Sequence, residues 1–199
     1  ATTNQIAERM GVTPASVTGM LKRLATNQPP LLRYQKHHGA VLTIEGRQVA
    51  LEIIRHHRLL ELYLHKELGF SWDQVHDEAD RLEHVISEKL EERISLILGD
   101  PVIDPHGEPI PSREFHLPDE SNQTRLSNLR QGDNAVIKRV LDTDSSMLRY
   151  LASIGLTPGK QISILDHSQY DGNLRMQIQG QPEPQVLGTR ITDHILVSL

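Results

Sequence analysis

Four side chains able to bind a metal ion recur at helical spacing between residues 76 and 84. Positions i, i+4, i+7 and i+8 of this stretch share one face of a helix, and they hold His76, Asp80, Glu83 and His84. Imidazole nitrogens and carboxylate oxygens on one face can bind a divalent transition metal. A solvated polar face would have the same pattern, and for a single such set it is the more common explanation.

A second pair with ligand spacing lies upstream. His57 and Glu61 are also four residues apart, so a helix would place them one above the other. Two ligand-spaced sets between residues 57 and 84, each among apolar helix positions, favour a metal site over solvated surface. The chain contains no cysteine, and any metal must therefore be held by imidazole and oxygen.

Apolar periodicity predicts the helices that would carry these side chains. A long helix is expected from residue 43 to about residue 68, ended by Gly69, and a second helix should carry residues 76–84. Further apolar residues follow at Val85, Ile86, Leu90, Ile94 and Ile97. An excess of apolar residues on a pair of helices more often marks a surface that a partner protein buries than a cofactor pocket. This pattern therefore predicts a dimer interface.

The N-terminal part predicts a DNA-binding fold. Gly11 ends a short helix, and Thr13 caps a second one that has Pro14 at its first position. Strands at residues 31–35 and 40–43 then flank a turn that contains Lys36 and His37. A helix-turn-helix followed by such a hairpin is a winged helix, and a basic wing tip suits phosphate contact. Any helical hairpin could share the first part of this pattern, and the His37 turn could equally be plain exposed surface.

Charge supports a polyanion partner for this part of the chain. The net charge is −5, but residues 1–58 carry eight Lys/Arg against three Asp/Glu, and the remaining residues carry thirteen against twenty-three. A basic N-terminal part on an acidic body suggests nucleic acid at one end only. The chain shows no apolar run long enough for a membrane span, and we expect a cytoplasmic protein with no membrane partner.

The C-terminal part changes to a period of two. Short strands are expected near residues 135–140, 161–165, 175–178 and 195–197, with one helix at 147–154. We expect a mainly α chain with a small β part. The predicted division is a winged helix-turn-helix at 1–47, a helical metal-binding and dimerisation domain at 48–118, a linker at 119–131 and an SH3-like β-barrel at 132–199.

With these residues in view, the chain resembles the diphtheria-toxin-repressor family of iron- and manganese-dependent transcription regulators. The resemblance lies in the winged helix, the segment at 55–61, the His-Asp-Glu-Ala run from His76 followed by Glu83 and His84, and the Pro-His-Gly-Glu-Pro-Ile-Pro run from Pro105. It implies a homodimer that binds double-stranded operator DNA, has no small-molecule substrate and is not an enzyme. It also implies a mobile SH3-like domain, and a further helix ahead of Thr3 that carries another metal ligand.

The resemblance implies two metal sites per subunit. His57, Glu61 and His76 match the ancillary site, and Asp80, Glu83 and His84 match the primary site. Some iron sensors add ligands from the SH3-like domain, where this chain has Arg139, which cannot ligate, and Asp142, which could. The expected DNA contacts are at the start of the second helix and on the wing: Thr13, Pro14, Ala15, Ser16, Thr18, Gly19, Lys36 and His37.

Position 80 bears on the choice of metal. Iron-sensing members have cysteine where this chain has Asp80, and manganese-sensing members have an acidic residue there. A hard oxygen ligand in place of a soft thiolate favours Mn²⁺ over Fe²⁺ as the cofactor. The expected function is repression of metal-uptake genes by a metal-activated regulator. Two alternatives remain: a metal-independent winged-helix regulator, and a helical metallohydrolase, although no HExxH run or nucleophile elbow is present.

Overall fold

The computed structural model describes residues 1–118, 122–141 and 144–199. Backbone contacts divide the chain into two compact units, residues 1–54 and residues 55–199. The boundary falls within one long helix. No helix in the described ranges combines the length and the apolar character needed to cross a membrane.

The first unit contains two helices joined by a tight turn and followed by a hairpin. Its elements are α1 (Thr3–Met10), α2 (Pro14–Ala25), β1 (Leu32–Gln35) and β2 (Gly39–Leu42). Gly11 ends α1 with a positive φ of 62°, and the Thr13 side chain accepts the backbone N–H of Ser16 to cap α2. The predicted order of elements and the predicted Thr13 cap are therefore present. The small core of this unit is formed by Ala7, Val17, Leu21 and Leu32.

Three helices follow: α3 (Ile44–Lys66), α4 (Val75–Leu82) and α5 (Glu88–Ile97). The expectation of one helix through residue 84 is wrong, because α4 ends at Leu82 and Ser87 starts α5 by accepting the backbone N–H of Leu90. Within the second unit, buried apolar residues join the three helices to the segment after α5: Leu59, Leu60, Leu62, Ala79, Ile94 and Ile110.

The C-terminal part is one antiparallel sheet with two helices. Its elements are β3 (Thr124–Arg125), a 3₁₀ turn (Leu126–Asn128), β4 (Asn134–Val140), α6 (Ser145–Ser153), β5 (Gln161–His167), β6 (Leu174–Ile178), β7 (Gln185–Leu187), α7 (Thr189–Thr192) and β8 (Ile195–Ser198). The strand order is β3-β8-β4-β5-β6-β7. The sheet therefore begins inside the segment predicted as a linker.

The sheet differs from the expected closed barrel. β3 and β7 are its two edges, and no strand pair in the described part of the chain joins them. Sequence periodicity identifies four of the six strands but misses the two edge strands. Those are only two and three residues long, which is too short for an alternating pattern to appear.

Candidate functional site

Helices α3 and α4 bring the predicted ligands together. Val75 and Ala79 on α4 are fully buried, so the opposite positions of this helix must face outward or toward α3. That orientation places His76 and Asp80 beside His57 and Glu61, which lie one helical turn apart on α3. The apolar positions that the sequence predicts as core therefore determine which way the polar residues point.

The first candidate metal group combines residues predicted for both sites. Ligand atoms of His57, His76 and Asp80 lie within 4.8 Å of one another. His57 Nδ1 lies 2.7 Å from Glu83 Oε2 and 3.3 Å from Asp80 Oδ1. His57 Nε2 lies 3.0 Å from His76 Nδ1. Two imidazoles and two carboxylates thus converge at the contact of α3 with α4, and we call this set the α3–α4 group.

A second candidate group is more deeply buried and was only partly predicted. It consists of Glu61, Asp104 and His106, which are 3%, 5% and 5% exposed. Asp104 Oδ1 accepts the backbone N–H groups of His106 and Glu108, both at 2.8 Å, and this folds the turn that carries His106. His106 Nδ1 lies 3.7 Å from Glu61 Oε2. We call these three residues the buried group.

Glu61 contacts residues of both groups. One carboxylate oxygen, Oε1, lies 3.0 Å from His57 Nε2 and 3.2 Å from His76 Nδ1, while the other faces His106. Burial by itself raises the pKa of Glu61, but hydrogen bonds from His106, His57 and His76 outweigh it and lower that pKa well below its usual range. Glu61 is therefore ionised and available to bind a cation.

The pKa values of the ionisable groups around Glu61 are raised. Burial lowers the pKa of His57, but its hydrogen bonds and charge interactions with Glu61 and Glu83 raise it to about 9. The hydrogen bond that His76 donates to Glu61 raises the pKa of His76, despite the opposing effect of burial. Burial, together with the charge of Glu61, raises the pKa of Asp104 to about 7. The metal-free site therefore retains protons that a metal ion would displace.

The donor chemistry fits a divalent transition metal. Glu61 and Asp104 are two buried carboxylates close to each other, and such a pair needs a proton or a cation between them. Asp80 and Glu83 add further carboxylate oxygens, the other candidate ligand atoms are imidazole nitrogens, and the chain has no thiolate to offer. Oxygen-rich sites with imidazole suit Mn²⁺ and Fe²⁺.

The predicted ligand His84 belongs to neither candidate group. His84 lies beyond the end of α4, its side chain is 64% exposed, and it contacts Glu83 with its Nε2 at 3.2 Å from Oε1. The helical face predicted for residues 76–84 therefore does not include it in this structure. Asp142 lies outside the described residues.

Sequence reasoning missed Asp104 and His106 as ligands. They lie in a turn that carries no helical periodicity. The only signal was an acidic residue and a histidine separated by Pro105, at a spacing that lets the Asp104 side chain cap its own turn.

The predicted DNA-contact residues all belong to the first unit. Thr13, Pro14, Ala15, Ser16, Gly19, Lys36 and His37 are exposed, and Thr18 is half-buried. Several of them line a cleft of about 550 Å³ between α1, α2 and the hairpin, together with Lys22 and Tyr34. Thr18 Oγ1 donates to the Pro14 carbonyl at 2.9 Å, and Thr13 is occupied by its capping bond. The Thr13 and Ser16 hydroxyls lie 2.9 Å apart, and Gly19 is exposed without a side chain.

Metal binding is expected to release protons at neutral pH. His57 is protonated below a pKa of about 9, and it must lose that proton to act as a ligand. At pH 7 we expect release on the order of one to two protons per subunit, and an apparent affinity that rises from pH 7 to pH 9. Calorimetric titration with Mn²⁺ in two buffers of different protonation enthalpy measures this number. Equal heats in both buffers at pH 7 would contradict it, and the release should largely vanish at pH 9.5.

Known proteins share all three parts of this chain. Family models match it for the iron dependent repressor N-terminal DNA binding domain at residues 1–40, the iron dependent repressor metal binding and dimerisation domain at 43–112, and the FeoA domain at 124–199. The iron-dependent repressor IdeR of Mycobacterium tuberculosis is 33% identical over 171 residues, which are 80% of this chain and 74% of that protein.

Other relatives agree. The diphtheria toxin repressor of Corynebacterium efficiens is 29% identical over 171 residues, covering 81% of this chain and 74% of that protein. A solved structure of a manganese-dependent transcriptional repressor in complex with manganese is 38% identical, has a TM-score of 0.88, and covers 100% of this chain and 91% of that one. This chain belongs to the iron-dependent repressor family of metal-dependent transcriptional repressors, to which the diphtheria toxin repressor also belongs.

Proposed function

We propose that this chain is a homodimeric repressor of metal-uptake genes that binds operator DNA when Mn²⁺ is present, with Fe²⁺ as the second candidate activator. The observation that carries the proposal is the convergence of three imidazoles on the buried Glu61 carboxylate. That arrangement connects α3, α4 and the turn at 104–108 through groups that attract a cation. We expect such a protein to act in the cytoplasm and to have no enzymatic activity.

Two metal sites per subunit are proposed, with the ligands that the resemblance implies. His57, Glu61 and His76 are the ancillary candidate, and one donor atom of each lies 3.0–3.2 Å from those of the other two. Asp80, Glu83 and His84 are the primary candidate. A bound divalent ion would supply positive charge that neutralises the carboxylates and displaces the proton on His57. The ligand residues themselves hold α3 and α4 in one arrangement, and DNA affinity can change only if that arrangement favours the DNA-binding form.

Asp80 supports manganese over iron in this proposal. Its carboxylate lies beside His57 and is a hard oxygen ligand, and Mn²⁺ accepts such ligands without strong geometric demand. Zn²⁺ prefers closed four-coordinate sites, so it can bind tightly and still activate poorly.

Apolar surface on the helical part supports the dimer. Val85, Leu90 and Ile97 are 75%, 52% and 60% exposed, although they lie on or between the helices α4 and α5 that otherwise pack a core. The matched family model for this region is described as a metal binding and dimerisation domain. A second copy of the chain would remove these residues from water.

For DNA, we propose that the first unit acts as a winged helix-turn-helix. Its second helix, α2, would enter the major groove, and the hairpin tip with Lys36 and His37 would contact phosphate. The exposed, small and polar residues at the start of α2 support this placement.

The test is DNA binding by the full chain with and without metal. Duplexes selected from a random library in the presence of Mn²⁺ supply the probe, and affinity is measured at fixed salt in chelator, Mn²⁺, Fe²⁺ and Zn²⁺. We expect Mn²⁺ to increase affinity by roughly 5- to 150-fold, the usual range of coupling between two binding sites. The increase should disappear in Glu83→Ala, which removes a carboxylate without opening an apolar core. Equal DNA affinity in chelator and Mn²⁺ would favour the metal-independent regulator instead.

A second experiment separates base reading from phosphate contact. Ser16→Ala or Gly19→Ala should change the preferred sequence, because these positions face the groove in the proposed docking. Lys36→Ala should weaken binding to every duplex and lower the salt slope by roughly one unit. Lys160→Ala, an exposed lysine of the C-terminal sheet domain, is the matched control and should leave both properties unchanged. An unchanged salt slope in Lys36→Ala would exclude the wing contact.

A further inference from the structure

Among the described residues, a third group of candidate metal ligands lies where α3 faces the start of α5. His56 Nε2 lies 3.4 Å from Glu88 Oε1, and the His56 side chain is only 8% exposed, whereas the Glu88 side chain reaches solvent. Glu52 precedes His56 by one turn on the same helix, and ligand atoms of these two residues lie within 4.8 Å of each other. None of the three residues belongs to the α3–α4 group or to the buried group.

A backbone carbonyl determines which nitrogen of His56 can bind a metal. His56 Nδ1 lies 3.4 Å from the Glu83 carbonyl oxygen, which can only accept a hydrogen bond. Nδ1 therefore carries a proton, and Nε2 is the nitrogen directed at the Glu88 carboxylate. Metal-binding histidines usually have their second nitrogen held by a hydrogen bond in this way.

In the described part of the chain, neither carboxylate of this group has a Lys or Arg partner. The next carboxylate of α5 that faces α3 is Glu91, and Arg55 pairs with it at 2.8 Å. Glu88 pairs only with His56 among the described contacts, and Glu52 has no ion pair there. A protonated His56 would neutralise one carboxylate and leave the other. The group therefore carries excess negative charge beside a buried imidazole, which attracts a cation.

We propose that His56, Glu88 and Glu52 bind a third divalent cation, with Zn²⁺ preferred over Mn²⁺, and that this cation fastens the first turn of α5 to α3. Three protein ligands with water at the open position are usual for Zn²⁺ outside closed structural sites. A site of nitrogen and oxygen donors generally binds Zn²⁺ more tightly than Mn²⁺. This site is additional to the two sites of the proposed function and requires neither of them.

Conservative substitutions can remove each ligand with little change of shape. Glu88→Gln removes the charge of an exposed side chain, so the fold should remain intact. His56→Asn removes Nε2 but keeps an N–H group that can donate to the Glu83 carbonyl. Glu92→Gln is the matched control, because Glu92 lies on the same helix, is 54% exposed at its side chain and pairs with Arg113.

The first measurement counts Zn²⁺ by equilibrium dialysis of the full chain followed by metal analysis. The reference is the double variant Glu61→Gln, Glu83→Gln, in which each of the two sites of the proposed function loses a carboxylate. We expect this double variant to retain one tightly bound Zn²⁺ per subunit. Adding Glu88→Gln or His56→Asn should weaken that binding by more than about tenfold, and adding Glu92→Gln should leave it unchanged.

The second measurement leaves the other two sites intact. The amides of Leu90 and Glu91 donate to the Ser87 carbonyl in the first turn of α5, both at 2.9 Å. Their hydrogen exchange should slow when Zn²⁺ is added to the parent or to Glu92→Gln, but not when it is added to Glu88→Gln. These proteins retain every ligand of the proposed function, so this comparison remains decisive if the double variant does not fold.

The outcomes separate this inference from the proposed function. Equal Zn²⁺ stoichiometry and equal exchange behaviour in the parent and Glu88→Gln would overturn the third site and leave the proposed function standing. Loss of all bound Zn²⁺ in a double variant that circular dichroism shows to be folded would overturn it as well. If Mn²⁺ does not change DNA affinity but Glu88→Gln still loses one Zn²⁺, the proposed function fails and the third site stands.

Discussion

Replacing Glu61 with glutamine is expected to abolish metal binding at the ancillary site proposed for His57, Glu61 and His76. Glu61 is 3% exposed, and its two oxygens face His57, His76 and His106. Glutamine has nearly the same shape but no charge, so the imidazoles lose the carboxylate that attracts a cation to their centre. We expect a loss larger than the roughly 10- to 100-fold typical of residues that only support a ligand.

The same substitution should destabilise the metal-free protein at neutral pH. Glu61 has a lowered pKa, so its stabilising contribution is present above the pKa of an unfolded glutamate and is lost only in acid. At pH 7 we expect the free energy of unfolding to fall by up to about 3 kcal/mol, which is the lower end of the range for breaking a buried ion pair. The pKa of His57 should fall toward its ordinary value at the same time.

The measurements are Mn²⁺ titration calorimetry and thermal unfolding in chelator. Glu92→Gln is the matched control, because Glu92 lies on α5, is 54% exposed at its side chain, and pairs only with the surface residue Arg113 in the described contacts. That variant should bind metal and unfold as the parent does. Normal metal stoichiometry in Glu61→Gln would refute the central place given to this carboxylate.

Gly107→Ala is expected to be strongly destabilising for a different reason. Gly107 has a φ of +84°, and a Cβ there would lie 1.9 Å from the Lys138 carbonyl oxygen. Both the backbone conformation and the contact between the turn and β4 would have to change. We expect a loss of about 3 kcal/mol or more, which corresponds to a fall in melting temperature of roughly 6–12 °C.

Gly132→Ala is the natural control for the Gly107 substitution. Gly132 has a similar φ of +94°, but nothing lies within 4 Å of an added Cβ. Gly132→Ala should lower the free energy of unfolding only by the strain of the backbone conformation, about 1–2 kcal/mol. Differential scanning calorimetry of both variants gives the comparison. Equal shifts would mean that the approach of Gly107 to β4 contributes nothing to stability. If the approach matters, Gly107→Ala should also weaken Mn²⁺ binding at Glu61, since the neighbouring His106 faces that carboxylate.

Local sequence determined the N-terminal unit well. Gly11, Thr13 and Pro14 act through short-range physics, as a left-handed helix end, a side-chain cap and a preset first turn. Such signals depend on two or three neighbours in the chain, so they can be read without the tertiary structure. The same holds for the pairing of His57 with Glu61 and of His76 with Asp80, because helical spacing alone places each pair on one face.

The sequence was less informative where packing decides the outcome. The helix expected through His84 ends at Leu82, since the cap at Ser87 starts a new helix and this competes with continued periodicity. The two edge strands β3 and β7 form by pairing with β8 and β6, and their own few residues carry no pattern. Whether the sheet closes depends likewise on how its edges meet.

The candidate site likewise combines residues that local sequence places together with residues that only long-range packing brings close. The sequence by itself determined that side chains with nitrogen and oxygen donors lie on two successive helices, and that no cysteine is available. Only the tertiary structure brought Asp104 and His106 to Glu61, across more than forty residues of chain. Helical periodicity relates residues a few positions apart, whereas this contact depends on where the turn after α5 packs against α3. Burial of Ile110 and the ion pair of Arg58 with Glu108 place that turn, and both arise from long-range packing that no local pattern encodes.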